Sequence, residues 1–133
     1  MQQISIFLLS TIFLLASCDP GQELIIKASG KKGVSVIIYA NTNILPNSDS
    51  TKNKKLIIRV PSTDTSTDFE QRFLYRIGGW SDGAVSNLAK NFDSIIFNNN
   101  AGKLILNDST IIKNYLIKSR TGYANNALII EAN

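Results

Sequence analysis

The sequence predicts an all-β fold, an antiparallel two-sheet β-sandwich with one short helix. Short apolar runs recur along the chain, and several of them alternate with a period of two, as strands with one buried face do. Stretches rich in Asn, Ser and Gly separate these runs and are typical of turns. Many short strands with polar turns and little helix favour two packed antiparallel sheets.

Three strands are predicted in the first half of a domain that we expect to span residues 24–133. The first opens at residues 24–27, after a tether at residues 18–23. The second covers residues 34–40, with Val34, Val36, Ile38 and Ala40 on one face. A polar loop follows at residues 41–55, and the third strand at residues 56–60 ends at Pro61, which cannot donate a ladder hydrogen bond.

Residues 69–77 can be interpreted in two ways. Phe73 and Tyr75 fall on one face of an alternating pattern, together with Phe69, Gln71 and Ile77. Thr67 followed by Glu70 also matches a helix capping box. The aromatic and β-branched residues favour a strand, and the helix remains the alternative.

The second half contains the predicted helix and the last strands. Between Ala84 and Phe92, apolar residues lie at helical spacing, which predicts one short helix. Residues 94–97 and 103–106 flank a Gly-containing turn and predict a hairpin. Residues 111–118 fit a strand or a helix equally well, and residues 127–131 close the domain as a strand.

The first 17 residues form an uncharged apolar segment. It is too short for a permanent membrane span, which needs about 20 residues, but it fits the apolar region of a signal peptide. Removing it from the 133 residues leaves 116, the size of one domain. No later apolar run approaches spanning length, so we expect only the N-terminus to hold the protein to a membrane.

The tetrapeptide Leu15-Ala16-Ser17-Cys18 ends this segment and resembles the lipobox of bacterial lipoproteins. The resemblance implies that the signal peptide is cut after Ser17 and that the thiol of Cys18 takes up lipid. Cys18 is the only cysteine, so disulfides within the chain are excluded. Asp19 would retain an enterobacterial lipoprotein in the inner membrane, but the Asn-, Ile-, Lys- and Ser-rich composition resembles Bacteroidota lipoproteins, for which an outer-membrane address is commoner.

A second resemblance covers residues 80–103, from Trp80 through Phe92-Asp93-Ser94-Ile95-Ile96 to Gly102-Lys103. This stretch is similar to small Bacteroidota lipoproteins with an Ig-like domain. The resemblance implies Ig-like topology and no particular activity, and the paired cysteines of antibody domains are absent. Three Asp-Ser motifs also resemble the O-glycosylation sequon of that phylum, with Ser50, Ser94 and Ser109 as candidate acceptors.

The net charge is +4, carried by clusters of lysine and arginine in the predicted mature chain. Such a surface would favour anionic head groups or envelope glycans as partners, although scattered lysines also simply keep a domain soluble. We expect a monomer that binds no nucleic acid, because an exported protein seldom meets it. Inhibition of a host lysozyme is disfavoured because both proteins would be cationic.

Most catalytic chemistry is excluded by composition. The chain has no histidine, and its one thiol is assigned to lipid, which removes the Ser-His-Asp and Cys-His mechanisms and most zinc sites. Asp82 and Asp93 are the best acid pair, but the pattern favours a turn with Gly83 for Asp82 and the cap or start of a strand for Asp93. Residues 64–68 space oxygen ligands as calcium loops do, yet Phe69 and Tyr75 occupy the positions of the required Gly and Glu. We therefore expect no metal and no cofactor.

The loop at residues 78–83 is the best candidate for recognition. Trp80, flanked by glycines, could stack on a sugar ring with Tyr75 or Arg76 beside it, or could fold back to cover the end of the sandwich. We expect a non-enzymatic binding or scaffolding module of the cell envelope. The alternative is a carbohydrate- or peptidoglycan-directed protein, including a weak hydrolase that uses carboxylates.

Overall fold

The computed structural model describes residues 20–30, 33–46, 55–60 and 69–132. The predicted signal peptide, Cys18, Ser50 and the loop at residues 64–68 lie outside these ranges. The described chain forms strands β1 (Gly21–Ala28), β2 (Ser35–Asn41), β3 (Lys55–Val60), β4 (Phe69–Ile77), β5 (Phe92–Asn99), β6 (Gly102–Leu106), β7 (Arg120–Thr121) and β8 (Ala127–Ala132), and helices α1 (Asp82–Ala89) and α2 (Ser109–Lys118). Two short 3-10 turns are at Thr42–Ile44 and Tyr123–Asn125.

The strands form two four-stranded sheets, which confirms the predicted sandwich. Sheet A has the order β4-β1-β8-β7, and sheet B has the order β3-β2-β5-β6. Neighbouring strands are antiparallel except for β1 and β8, which run parallel. Parallel pairing of β1 with β8 requires a crossover connection, and the described elements between them include all four strands of sheet B and both helices. The hairpin predicted around the Gly-containing turn is the pair β5–β6.

The tether predicted at residues 18–23 is shorter than expected, because β1 already begins at Gly21. Gly21 pairs with Ile77, and the N–H of Gly78 donates to the carbonyl of Pro20 over 2.9 Å. The first residues of β1, Gly21 to Glu23, have no hydrophobic pattern that predicts a strand. Their pairing with β4 extends the strand through them. The folded domain therefore starts three residues after Cys18 in the chain.

The core fills the space between the two sheets. The inward face predicted for the second strand is confirmed, since Val36, Ile38 and Ala40 of β2, and Val34 just before it, are at most 1% exposed. β1 and β8 alternate in the same way opposite it. The largest fully buried side chains are Leu24, Ile26, Ile38, Ile44, Ile95, Ile112, Leu116, Leu128, Ile130, Val34, Val36 and Val60.

β4 confirms the strand interpretation of residues 69–77. It lies at the edge of sheet A, where β1 is its one neighbour among the described strands. Phe73 and Tyr75 pack against the core and are half-buried, as the alternation predicted. Phe69 and Ile77, on the same predicted face, are 41% and 72% exposed because they lie near the ends of an edge strand.

Two helices cover one side of the core. The helix predicted between Ala84 and Phe92 is confirmed as α1, but it ends at Ala89 because Phe92 already begins β5. The hydroxyl of Ser81 caps it by accepting from the N–H of Ala84. The ambiguous residues 111–118 belong to a second helix, α2, so the described chain has two helices where one was expected. Asp108 caps α2, and Ile112 and Leu116, four residues apart, are fully buried. That spacing buries both side chains on one helical face.

Candidate functional site

A cleft of about 330 Å³ opens at the end of the sandwich where β1 begins. It lies between the last residues of β4, the start of β1, helix α1 and the 3-10 turn at Thr42–Ile44. Its wall combines amide, aromatic and small apolar side chains with a single charged one. The lining residues are Gln22, Asn43, Pro46, Tyr75, Arg76, Trp80, Ala84, Asn87, Leu88 and Asn91.

Trp80 lies at the corner between β4 and α1, and each of its polar groups makes a hydrogen bond within the protein. Its indole N–H donates to the carbonyl of Glu23 over 3.0 Å, and its backbone N–H donates to the carbonyl of Asn125 over 2.8 Å. Arg120 donates to its carbonyl oxygen over 3.0 Å. A side chain at Gly79 would collide with the carbonyl of Ala124, so only glycine lets the corner approach this closely. Trp80 therefore belongs to the rigid frame of the cleft.

The aromatic floor of the cleft is a pair of rings. Tyr75 and Trp80 meet edge to face, with ring centroids 5.1 Å apart and planes inclined by 73°. The hydroxyl of Tyr75 donates to the backbone carbonyl of Ile44, which joins β4 to the 3-10 turn. Burial raises the pKa of Tyr75 well above its usual value, so the phenol stays neutral throughout the physiological range.

Gln22 places a buried amide at the base of the wall. It is 4% exposed, its Nε2 donates to the carbonyl of Gly79 over 2.6 Å, and its Oε1 accepts from Nε of Arg76 over 3.4 Å. A side-chain amide has two N–H groups and two acceptor lone pairs, and these contacts use one of each. The amide is therefore held in one orientation and keeps hydrogen-bonding capacity.

The amides of the opposite wall come from α1 and the residues that follow it. Asn87 and Asn91 are four residues apart, so they lie on one face of the helical segment. Nδ2 of Asn91 donates to the carbonyl of Asn87 over 3.0 Å, and its Oδ1 accepts from Nδ2 of Asn41 over 3.0 Å. Sheet B and α1 are thus joined at the rim of the cleft, while the Asn87 side chain is exposed to solvent.

The structure brings together the three residues that the sequence proposed for ligand binding. Trp80, Tyr75 and Arg76 all line the cleft, but Trp80 is only 4% exposed. Of the two interpretations of Trp80, the ring folds back into the end of the sandwich and offers no open face for a sugar to stack on. The guanidinium of Arg76 is the one charged group in the lining.

The amide residues of the cleft were missed by the sequence analysis. Gln22 was assigned to the tether, and Asn43 to the long polar loop. A signal did exist for Asn87 and Asn91, because two asparagines four residues apart within a predicted amphipathic helix must share its polar side. Asn87 and Asn91 line the same cleft as Gln22 only because β1 pairs with β4. No local sequence pattern predicts that pairing.

The two carboxylates considered for catalysis lie in different places and have different partners. Asp82 forms a 2.7 Å ion pair with Arg120 at the start of α1. Asp93 forms an ion pair with Lys55 on sheet B. Neither carboxylate lines the amide cleft.

Two of the three candidate glycosylation acceptors fall within the described residues. Ser109 is exposed in the first turn of α2, directly after the Asp108 cap. Ser94 is half-buried on β5, where it pairs with Tyr39 of β2. Exposure therefore favours Ser109 over Ser94 as an acceptor.

Comparison with protein-family models, curated proteins and solved structures gives no match for this chain. Among the residues that the structure describes, no helix has the length and apolar character needed to cross a membrane. No group of three or more potential metal-ligating side chains occurs in those residues either.

Proposed function

We propose that this protein is an envelope lipoprotein, anchored through lipid on Cys18, whose domain is a non-enzymatic binding module. The amide-lined cleft is the ligand site in this proposal, and it is the observation that carries it. The lipobox motif at residues 15–18 supports the anchor. The proposed mature protein would thus hold a small ligand or a segment of a polymer close to the membrane.

The chemistry of the cleft favours a hydroxyl-rich ligand, which makes an envelope glycan the best candidate. Amide side chains both donate and accept hydrogen bonds, as sugar hydroxyls do, and four amide residues contribute to the lining. The floor of Tyr75 and Trp80 offers ring edges and small apolar surfaces for the C–H groups of a sugar. Arg76 adds preference for a glycan that carries a carboxylate or phosphate.

The cleft would also lie close to the anchor. Gln22 is four positions after Cys18 in the chain, so their Cα atoms can be at most about 14 Å apart. A lipid on Cys18 would therefore keep the cleft within the layer where membrane glycans and the nearby cell wall are found. The outer membrane remains our preferred location, on the basis of the composition.

The arrangement of acids favours binding over hydrolysis. Glycoside hydrolysis by two carboxylates requires them to face each other across the bond, about 5–9.5 Å apart. The lining of the cleft contains amides and one arginine, and Asp82 and Asp93 are each paired with a cation elsewhere. The weak hydrolase considered from the sequence therefore gains no support from the site.

Glycan binding by the full mature protein in detergent tests this proposal. A panel of peptidoglycan fragments and surface polysaccharides is titrated while the indole fluorescence of Trp80, the only tryptophan, is followed. We expect Asn87→Ala to weaken the best ligand roughly three- to tenfold, the equivalent of one lost hydrogen bond. Asn114→Ala is the matched control, because Asn114 is an exposed asparagine on α2 and does not line the cleft.

If the two variants bind the glycan with equal affinity, the ligand does not bind in the cleft. If the purified protein still hydrolyses any glycan, the domain is a hydrolase and the proposal of a non-enzymatic binding module is wrong.

A further inference from the structure

The outer faces of the two sheets differ in their charges, because sheet A carries several ion pairs beside apolar residues such as Leu74. On sheet A, Arg72 bonds Glu70 over 2.7 Å and Glu23 over 3.2 Å, and Lys27 lies 3.6 Å from Glu70. The hydrogen bond from Arg72 lowers the pKa of Glu70, which keeps this carboxylate charged. Such a ladder of neutralised charges is typical of a sheet face that is exposed to water.

The outer face of sheet B carries apolar residues on all four strands, and the polar residues Ser35, Ser94 and Asn98 lie beside them. The register aligns Ile37 of β2 with Ile96 of β5, and Ile96 with Ile105 of β6. In the next row Tyr39 lies beside Ile57 of β3. Ile57 and Ile105 are 51% and 47% exposed. We call these five side chains, Ile37, Tyr39, Ile57, Ile96 and Ile105, the isoleucine face; a solvated antiparallel sheet would carry polar residues there.

Basic residues lie around the isoleucine face. Arg59 is exposed and pairs with Ile37, and Lys103 is exposed and pairs with Asn98. Lys55 lies at one end and is paired with Asp93, the one acid of this outer surface in the described strands. The surface is therefore apolar in the centre with a positive edge, which suits anionic lipid head groups.

The isoleucine face reaches the end of the domain from which the chain runs towards Cys18. The N–H of Asn41, the last residue of β2, donates to the carbonyl of Asn91 over 2.9 Å, and Asn91 shares the cleft with Gln22. A hollow of about 450 Å³, lined by Tyr39, Lys55, Leu56, Ile57, Asp93 and Ser94, opens on sheet B at this end. Gly21 is three positions after Cys18, so their Cα atoms can be at most about 11 Å apart, roughly the distance between stacked sheets. A lipid on Cys18 can therefore enter a bilayer that this face touches.

We propose that the isoleucine face rests on the surface of an anionic lipid bilayer. This inference depends on the lipid anchor of the proposed function. A second copy of the chain fits the face less well, because Arg59 and Lys103 of each copy would meet like charges. Four strands about 4.8 Å apart and six residues long cover only roughly 300 Å² in projection, against about 800 Å² per partner in a stable interface.

A fluorescent label placed on the face tests the contact in the lipidated full protein. Acylation blocks Cys18, so a cysteine introduced as Ile105→Cys becomes the only free thiol, and it is labelled with an environment-sensitive fluorophore. The protein is reconstituted in phosphatidylcholine vesicles containing phosphatidylglycerol and a spin-labelled quencher lipid. Leu74→Cys is the matched control, because Leu74 is an exposed aliphatic residue, 62% exposed, on sheet A.

We expect the Ile105→Cys label to shift to the blue and to be quenched by the lipid, and the Leu74→Cys label to do neither. Adding Arg59→Ala to the labelled protein should reduce the quenching, because each basic residue near an anionic surface contributes about fivefold to association. Equal quenching at both positions, or none at Ile105, would overturn the proposal. A blue shift that is insensitive to the quencher lipid would also overturn it and would indicate a second copy.

Labelling of the parent chain separates this proposal from the anchor. If the parent takes up fluorophore at Cys18, the thiol is free and the proposed lipid anchor has failed. If the parent stays unlabelled and Ile105→Cys is still not quenched, the anchor stands and only the docking of the isoleucine face has failed.

Discussion

At the scale of single residues, the cleft is built by side chains whose polar atoms are satisfied inside the protein. Trp80 and Tyr75 each bury a ring and direct one polar group to a backbone carbonyl, of Glu23 and Ile44 respectively. A buried donor without an acceptor would cost about 1–3 kcal/mol. These bonds therefore make the floor rigid, and the exposed Asn87 and Arg76 are the groups left to adjust to a ligand.

Tyr75→Phe should change both the stability of the protein and its dependence on pH. Near neutral pH we expect a loss of about 1 kcal/mol, because the carbonyl of Ile44 loses its donor. Burial raises the pKa of folded Tyr75 above the ordinary value of 10.0, so its contribution is complete below pH 10 and is lost as the pH rises further. The variant should therefore lose less stability than the parent between neutral pH and the alkaline range above pH 10.

Urea unfolding across that pH range measures the effect. Tyr123→Phe is the control, since Tyr123 is 80% exposed. If the free energy of unfolding falls as steeply above pH 10 in Tyr75→Phe as in the parent, this loss does not come from Tyr75. Burial also raises the pKa of Tyr115, so an alkaline loss of stability should remain in the variant.

At the scale of elements, the sequence predicted those strands and helices whose side chains alternate or repeat clearly. β2, β3, the β5–β6 hairpin, β8 and α1 were found where hydrophobic periodicity placed them. Residues 69–77 carried two conflicting signals, and pairing with β1 decided between them. Residues 111–118 were left open, although Asp108 before them matches a helix N-cap and Lys118 lies in the last turn.

What the sequence did not predict depends on contacts between distant parts of the chain. β1 begins at Gly21 because of its partners in β4, and the parallel pairing of β1 with β8 joins segments about 100 residues apart. For the same reason, only three of the ten residues that line the cleft were predicted. Trp80, Tyr75 and Arg76 lie close together in the chain, whereas Gln22 and Asn91 reach them only through the tertiary fold.

Phe73→Ala tests the face that β4 turns towards the core. A fully buried phenylalanine costs about 3–5 kcal/mol when truncated, and the half-buried Phe73 should cost about 2 kcal/mol. Leu74→Ala, on the opposite and exposed face, should cost less than about 1 kcal/mol. Thermal unfolding compares the two variants, and equal shifts in Tm would show that the side chains of β4 do not point as described.

At the scale of the whole molecule, one end of the sandwich concentrates the proposed activities. The cleft, the hollow on sheet B and the start of β1 are all found there, and Cys18 precedes β1 by three residues. The ion-paired face of sheet A would then point to water, and the isoleucine face to the bilayer. The proposed lipid anchor would thus restrict the cleft to ligands that lie close to the membrane surface.

The proposed function depends on acylation of Cys18, and labelling with a palmitate analogue in growing cells measures that acylation. The parent protein should incorporate the analogue and lose its first 17 residues, because the lipidated cysteine becomes the new N-terminus. Cys18→Ser should incorporate none and keep the signal peptide, whereas Ser17→Ala, which keeps a small residue before the cysteine, should behave as the parent. Equal label in the parent and in Cys18→Ser would contradict the account.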